Sequence, residues 1–226
     1  MSSRDNHLWL QSWRDQDIGF HQEQVNPLLA RFWPGLKLAR GSRVFVPLCG
    51  KSLDMIWLAR EGYRVIGVEL SPIAVRDFFR ENGLRPSKRR VGEFILWQAG
   101  EICILCGDYF SLTNEDLGPI DTVYDRAALT ALPEEIRGLY VTKLRHLIPK
   151  DAEVFLLTIE DAEADENLTQ ALGVGTEIKL LYKGDFEIAL AHVESVYETG
   201  PESTNHVPIR VEYKVYRLSG KPGTVN

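Results

Sequence analysis

Two apolar runs joined by a glycine turn and a helical pattern constrain the fold more than any other feature of the chain. The first run, residues 44–48, leads into a turn that contains Gly50, and apolar residues at helical spacing follow. The second run, residues 64–70, carries Glu69 near its end. This order predicts strand, turn, helix and strand, which is a βαβ unit with two parallel strands.

The spacing within this unit indicates the kind of ligand. Glu69 follows Gly50 by 19 residues, close to the interval of about 20 at which an acid accepts hydrogen bonds from a ribose in nucleotide-binding α/β folds. A dinucleotide turn has three glycines that let a pyrophosphate approach, but Leu48 and Cys49 occupy this turn beside Gly50. The sequence therefore disfavours NAD and FAD and favours a nucleoside cofactor without phosphate.

Similar units follow along the chain and define the predicted fold class, α/β. Five β/α units and a terminal pair of strands predict a three-layer, doubly wound, mostly parallel seven-stranded sheet with an antiparallel C-terminal strand. The expected strands are 43–47, 64–70, 101–106, 120–124, 153–159, 186–197 and 209–218. We expect one domain, 1–226, in which residues 1–40 form a helical cap or lid over the cofactor end of the sheet.

Ligands of open α/β sheets bind beyond the carboxyl ends of the strands. The residues expected there are Leu48, Cys49, Gly50, Glu69, Gly107, Asp108, Asp125, Arg126, Glu160 and Asp161. We expect the ribose on Glu69, the adenine near Gly107 and Asp108, and a carboxylate-bearing tail near Gly50. Simpler interpretations stay open, namely a solvated Glu69 and a local ion pair between Asp125 and Arg126.

Composition narrows the range of partners and compartments. A net charge of −6 and a pI near 5.5 argue against nucleic acid and against an anionic membrane as the main partner. No apolar run reaches the roughly 20 residues that span a bilayer, and we see no signal-peptide core. Three cysteines without a disulfide framework favour the cytoplasm. We interpret Cys103 and Cys106 as buried thiols and expect no metal site.

Several motifs together resemble the thiopurine S-methyltransferase family, and its bacterial branch most closely. The similarity is carried by Trp9-x-x-x-Trp13, IGFHQ at 18–22, VNP at 25–27, VFVPLCGKSLDM at 44–55, VIGVELS at 65–71 and DRAAL at 125–129. The resemblance implies a Rossmann-like class I fold with S-adenosyl-L-methionine (AdoMet) as cofactor. The expected reaction is methyl transfer to the sulfur of a thiopurine or a similar small aromatic or heterocyclic thiol.

The resemblance also implies roles for individual residues. It places Trp9, Leu48, Glu69 and Arg126 around AdoMet, and Phe20 between cofactor and acceptor. The segment 106–108 would run beside the adenine, and Arg126 would stabilise an anionic acceptor. Trp9 and Phe20 would help to close a lid over the site.

The chain departs from the family after Ile159, where members carry a Gly-Pro-Pro-Phe-like loop and this sequence reads NLTQALGV at 167–174. That loop borders the acceptor pocket, so two alternatives stay open. The first is methylation of selenium or tellurium oxyanions or other small soft nucleophiles, as in selenite or tellurite resistance. The second is a non-catalytic AdoMet-binding module. We expect a monomer whose partner is a small molecule.

Overall fold

A computed structural model describes residues 3–161, 174–198 and 208–221. The chain divides into two compact units. The first consists of Met1–Tyr124 and Lys143–Pro149, and the second of Asp125–Thr142 and Lys150–Asn226.

The first unit contains six strands and five α-helices among its described residues. The strands are β1 (Arg43–Val46), β2 (Arg64–Glu69), β3 (Ser87–Val91), β4 (Phe94–Ala99), β5 (Ile102–Cys106) and β6 (Thr122–Arg126), whose last two residues belong to the second unit. The helices are α1 (Ser3–Asp15), α2 (Pro27–Phe32), α3 (Asp54–Arg60), α4 (Pro72–Glu81) and α5 (Asn114–Leu117). Short 3-10 helices cover Trp33–Leu36 and Tyr109–Ser111.

A parallel core of four strands organises this unit. The strand order is β3-β4-β5-β2-β1-β6, and β5, β2, β1 and β6 run parallel. The central strands are buried on both faces, with only the first residue of each open to solvent. Continuous apolar runs suit such doubly covered strands, which is why the sequence identifies β1 and β2 well.

An antiparallel hairpin extends the sheet beyond β5, and the sequence-based prediction lacks it. Strands β3 and β4 pair from Ser87 with Gln98 to Val91 with Phe94, and Gly92 opens the two-residue turn with φ +54°. Because β3 is a charged edge strand that exposes four of its five residues, it has no apolar alternation to detect. The described residues therefore form nine strands instead of the expected seven.

Two helix starts follow directly from the sequence. Ser71 caps α4 by accepting the Ala74 N–H at 3.3 Å, and Pro72 occupies the first helical position, as the serine–proline pair predicts. At α2, Asn26 accepts the Leu28 N–H at 2.9 Å. These caps fix where each helix leaves the preceding strand or turn.

The second unit carries the C-terminal strands. Its elements are α6 (Ala128–Ala131), β7 (Glu153–Asp161), α8 (Val174–Tyr182), β8 (Phe186–Glu198) and β9 (Ile209–Gly220), while α7 (Glu134–Leu147) has residues in both units. The strand order is β6-β7-β9-β8, and β9 is antiparallel to both β7 and β8. The mostly parallel α/β sheet with an antiparallel C-terminal strand is thus confirmed.

Some expectations require correction or lie outside the described residues. The strand predicted at 120–124 is observed two residues later, as β6, so Asp125 and Arg126 end the strand instead of following it. Residues 162–173, which include most of the unusual loop after Ile159, are not among those described. In the part of the chain that the structure describes, no helix has the length and apolar character needed to cross a membrane.

Candidate active site

The turn after β1 has an unusual backbone. Leu48 and Gly50 both have positive φ, +46° and +52°, a region that glycine tolerates and leucine rarely adopts. The Cys49 N–H donates to the carbonyl of Val68 on β2 at 3.0 Å, which holds the turn against the neighbouring strand. A strained leucine at a strand end is the kind of outlier that occurs at ligand sites.

Glu69 connects this turn to the start of α4. Its Oε2 accepts the Gly50 N–H at 2.8 Å and its Oε1 accepts the Ser71 N–H at 2.7 Å. Burial raises the pKa of Glu69, and the backbone hydrogen bonds oppose that rise. Each carboxylate oxygen has two lone pairs, so both oxygens keep capacity for further donors. The carboxylate is therefore not the solvated strand-end acid of the simpler interpretation.

The end of β5 is closely packed. The Gly107 N–H donates to the Glu69 carbonyl at 2.9 Å, and a Cβ on Gly107 would lie only 2.5 Å from Cδ1 of Phe94. Only glycine fits there. Asp108 accepts the Phe110 N–H on Oδ1 at 2.9 Å and the Asn6 side-chain amide on Oδ2 at 3.1 Å. The first unit thus brings Gly50, Glu69 and the 107–108 segment to adjacent strand ends.

An aromatic cluster lies at the same end of the first unit. The Phe20 ring makes edge contacts with Trp9 and Trp13, at centroid distances of 5.4 and 5.5 Å. Trp13 is buried and its Cζ2 lies 3.3 Å from the position of a Cβ on Gly50. Phe20 is 48% exposed. The two tryptophans do share one face of α1, as their spacing predicts.

Asp54 has a role that sequence reasoning missed. It is buried at the start of α3, where Oδ1 accepts the Asn26 N–H at 2.8 Å and Oδ2 accepts the Tyr124 hydroxyl at 2.8 Å. Asn26 itself caps α2. Asp54 therefore fixes the N-terminal segment to the first unit's core, and the VNP and GKSLD motifs are parts of one structural connection.

Lys51, the residue after Gly50, pairs with a carboxylate on α4. Its Nζ donates to the Glu81 carboxylate at the end of α4, at 2.9 Å.

Asp125 lies fully buried in the second unit. Tyr140 donates its hydroxyl to Oδ2 at 2.6 Å, and the Ala128 N–H donates to Oδ1 at 3.0 Å. Burial raises the pKa of Asp125 to about 6, against the effect of these hydrogen bonds. Asp125 thereby fixes the start of α6, where Ala127 adopts φ +60°. Arg126, the next residue of β6, is half-buried in the same unit.

Glu160 is buried and lies within β7 instead of beyond its end. Its Oε1 accepts hydrogen bonds from the hydroxyls of Thr158 and Tyr216, at 3.0 and 3.1 Å. Its Oε2 accepts one from Lys214 Nζ at 2.5 Å. These partners lie on β7 and β9, far apart in the sequence. The sequence gives no local signal for this cluster.

Cys103 and Cys106 are less buried than expected. Cys103 and Cys106 are half-buried and free, while Cys49 is free and buried. Burial raises the pKa of the Cys103 thiol and raises that of Cys106 to about 11. No group of three or more His, Cys, Asp or Glu residues in the described ranges could hold a metal ion.

The first unit fits AdoMet at the level of donors and acceptors. Ribose hydroxyls need acceptors, and Glu69 offers unused lone pairs on a buried carboxylate. The Oδ1 of Asn6, beside Asp108, is buried and has no hydrogen-bond partner among the described residues. A sulfonium cation favours aromatic faces, and Trp9 and Phe20 provide them.

Comparison with known proteins places these features in context. The family described as thiopurine S-methyltransferase (TPMT) matches residues 4–221. A protein of Stutzerimonas stutzeri named thiopurine S-methyltransferase is 62% identical over 221 residues, which cover 98% of this chain and 93% of the relative. A protein of the same name from Nitrosospira multiformis is 42% identical over 211 residues, covering 93% and 96%.

Solved structures show the same fold at low sequence identity. A SAM-dependent methyltransferase from Anabaena variabilis matches with TM-score 0.61 and 17% identity, covering 96% of this chain and 95% of that one. A 1,6-didemethyltoxoflavin-N1-methyltransferase from Burkholderia thailandensis matches with TM-score 0.60 and 14% identity, covering 96% and 87%.

Proposed function

Because the chain belongs to the thiopurine S-methyltransferase family, we propose that it transfers a methyl group from AdoMet to the sulfur of a thiopurine or a similar small aromatic or heterocyclic thiol. The protein is an AdoMet-dependent methyltransferase. The observation that carries the acceptor assignment is the 62% identity, over 98% of the chain, to a relative of that name.

In this proposal the cofactor residues lie at the strand ends of the first unit. Glu69 accepts the ribose hydroxyls, Gly107 and Asp108 adjoin the adenine, and the turn of Leu48 and Gly50 receives the amino-acid tail. The buried carboxylate of Glu69, already oriented by two backbone amides, supports its role. A carboxylate fixed in this way loses little conformational freedom when a ligand binds.

The aromatic cluster supplies the lid of the proposed site. Bound AdoMet supplies an activated methyl group, so the protein has to align the acceptor sulfur and exclude water. The Phe20 ring makes edge contacts with both Trp9 and Trp13, and about half of the Phe20 surface stays exposed. Phe20 therefore has a free surface on which a flat heterocyclic acceptor can stack.

Arg126 completes the proposal as the residue that stabilises the acceptor anion. A thiol or heteroaromatic thione ionises close enough to neutral pH that no strong general base is required. Asp125 is not such a base, because it is fully buried and already accepts the Tyr140 hydroxyl and the Ala128 amide. A guanidinium that favours the thiolate lowers the barrier electrostatically.

Replacing Arg126 by alanine tests this role. We expect turnover of the thiol to fall about 100-fold, in the range reported for losing one preorganised charge-stabilising group, while AdoMet affinity falls much less. Steady-state kinetics and calorimetric AdoMet titration measure the two effects. Arg60→Ala, an exposed arginine at the end of α3, is the control. Equal losses of turnover and of AdoMet affinity would remove Arg126 from the acceptor site.

A methyl-transfer assay with labelled AdoMet identifies the acceptor. We expect turnover of 6-mercaptopurine and none of selenite or tellurite. Turnover confined to the selenium or tellurium oxyanions would keep the cofactor site and replace the acceptor. AdoMet binding without transfer to any of the three would favour a non-catalytic module. We further propose that the enzyme works in the cytoplasm as a monomer, which light scattering at working concentration can test.

A further inference from the structure

Helix α1 crosses the strand ends that the proposal assigns to the cofactor. Asn6, Trp9 and Trp13 lie on one face of this helix, because their spacings of three and four residues match its turns. At one end of that face the Asn6 side-chain amide donates to Asp108 after β5, at 3.1 Å. At the other end the Trp13 ring packs against Gly50 after β1.

The strand between these two attachment points is β2. It pairs with β5 on one side and with β1 on the other, and it ends at Glu69. The face of α1 that carries Asn6 and Trp13 therefore crosses three consecutive strand ends. With the ribose on Glu69, the Asn6 end of the helix adjoins the adenine side of the site and the tryptophan end adjoins the tail.

The hydrogen bonds of Asn6 leave one polar atom unused. A carboxylate only accepts hydrogen bonds, so the NH2 group of Asn6 has to face Asp108 and the amide orientation is fixed. Its Oδ1 is then buried, and no residue in the described part of the chain donates to it. A buried acceptor without a donor destabilises the ligand-free protein, and a ligand that brings a donor relieves that cost.

We infer that Asn6 is a cofactor-positioning residue whose Oδ1 accepts a hydrogen bond from the exocyclic amino group of the adenine. This group is the only N–H donor of the base, and the Asn6 end of α1 is the end beside Asp108. The inference rests on the AdoMet site proposed above. It gives the N-terminal helix a second role, in which it recognises the base besides covering the site.

Paired ligands test the inference without any methyl acceptor. S-adenosylhomocysteine carries the amino group, and S-inosylhomocysteine carries a carbonyl oxygen in its place. We expect calorimetry to show that the wild-type protein prefers the adenosyl ligand by about tenfold or more, the value of one hydrogen bond to a buried partner. Measurements on the wild-type protein alone can overturn the inference. Equal affinities for the two ligands would do so, and so would a failure to bind S-adenosylhomocysteine.

Variants separate base recognition from a purely structural contact with Asp108. In Asn6→Ala we expect the preference for the adenosyl ligand to shrink by about tenfold. In Asn6→Asp the acceptor is kept but the new carboxylate repels Asp108, so both affinities should fall while the preference persists. Gln11→Ala, exposed on the same helix, should change neither. Equal loss of both ligands in Asn6→Ala would show that Asn6 only anchors the helix.

This test is independent of the acceptor assignment. If 6-mercaptopurine is not methylated but the adenosyl preference depends on Asn6, the acceptor proposal fails and the base contact stands. If the thiol is methylated and the preference is unaffected by Asn6→Ala, the proposed function stands and the base contact fails.

Discussion

Two buried carboxylates, each at the end of a parallel strand, accept hydrogen bonds from different parts of the fold. Glu69, at the end of β2, receives one backbone N–H on each oxygen and is 7% exposed. Asp125, in β6, receives a tyrosine hydroxyl and an amide of α6 and is 0% exposed. Burial raises the pKa of both.

In the site that we propose, Glu69 binds the ligand, whereas Asp125 has a structural role. The donors of Glu69 come from the turn after β1 and from the start of α4, so its carboxylate shapes the turn to which we assign the cofactor. The donors of Asp125 are the Tyr140 hydroxyl and an amide of α6, so Asp125 fixes the strand end that carries Arg126. Position at a strand end is therefore insufficient evidence for a binding role.

Of the substitutions considered, Glu69→Gln should have the largest effect, a loss of cofactor affinity. One end of the new amide is an NH2 group, which would face the N–H of Gly50 or of Ser71 and could not accept from a ribose. We expect the affinity for S-adenosylhomocysteine to fall about 100-fold, as for loss of hydrogen bonds to a charged group. Calorimetry measures the change, with Glu81→Gln as a control, and a loss below fivefold would contradict the assignment.

Asp125→Asn should remove a pH dependence of stability. The folded-state pKa of Asp125 is about 6, above its usual 3.8, so folding favours the protonated form. Its contribution is fully present below pH 3.8 and is lost as the pH rises through about 6, a change of about 3 kcal/mol. Urea unfolding from pH 4 to pH 7 should show this change in the wild type relative to the variant. Parallel stability curves would contradict the burial argument.

Tyr140→Phe and Tyr124→Phe are a matched pair of variants that test the hydroxyl donors of Asp125 and Asp54. Each removes a hydroxyl from a buried carboxylate, Asp125 at 2.6 Å and Asp54 at 2.8 Å, and each should cost about 1–3 kcal/mol. The Tyr140 variant should also raise the pKa of Asp125, since that hydrogen bond lowers it. Carboxyl NMR titration would show the rise in Tyr140→Phe and not in Tyr124→Phe.

Lys51→Gln should have the smallest effect. The pair of Lys51 and Glu81 joins a partly exposed carboxylate to the turn, and such pairs contribute at most about 1 kcal/mol. We expect unchanged affinity for S-adenosylhomocysteine and no binding of NADH by either protein. A large loss of cofactor affinity would show that Lys51 belongs to the site after all.

The sequence alone predicts those parts of the fold that depend on short local patterns. The apolar runs of β1 and β2, the serine–proline start of α4 and the tryptophan spacing of α1 each depend on residues within a few positions. These features follow from periodicity and capping. The 19-residue interval from Gly50 to Glu69 predicted a ribose acceptor, and it did not predict the hydrogen bond that the structure shows from the Gly50 N–H to Glu69 Oε2.

The hydrogen bonds between polar groups that are far apart in the sequence are evident only from the tertiary structure. The bond between Asn26 and Asp54 joins residues 28 positions apart, that between Tyr124 and Asp54 joins residues 70 apart, and that between Asn6 and Asp108 joins residues 102 apart. Burial creates these contacts, because a polar group that leaves water needs a partner and takes whichever one the folded chain brings near. A strand end seen in sequence thus shows where an acid lies, and its partners decide what the acid does.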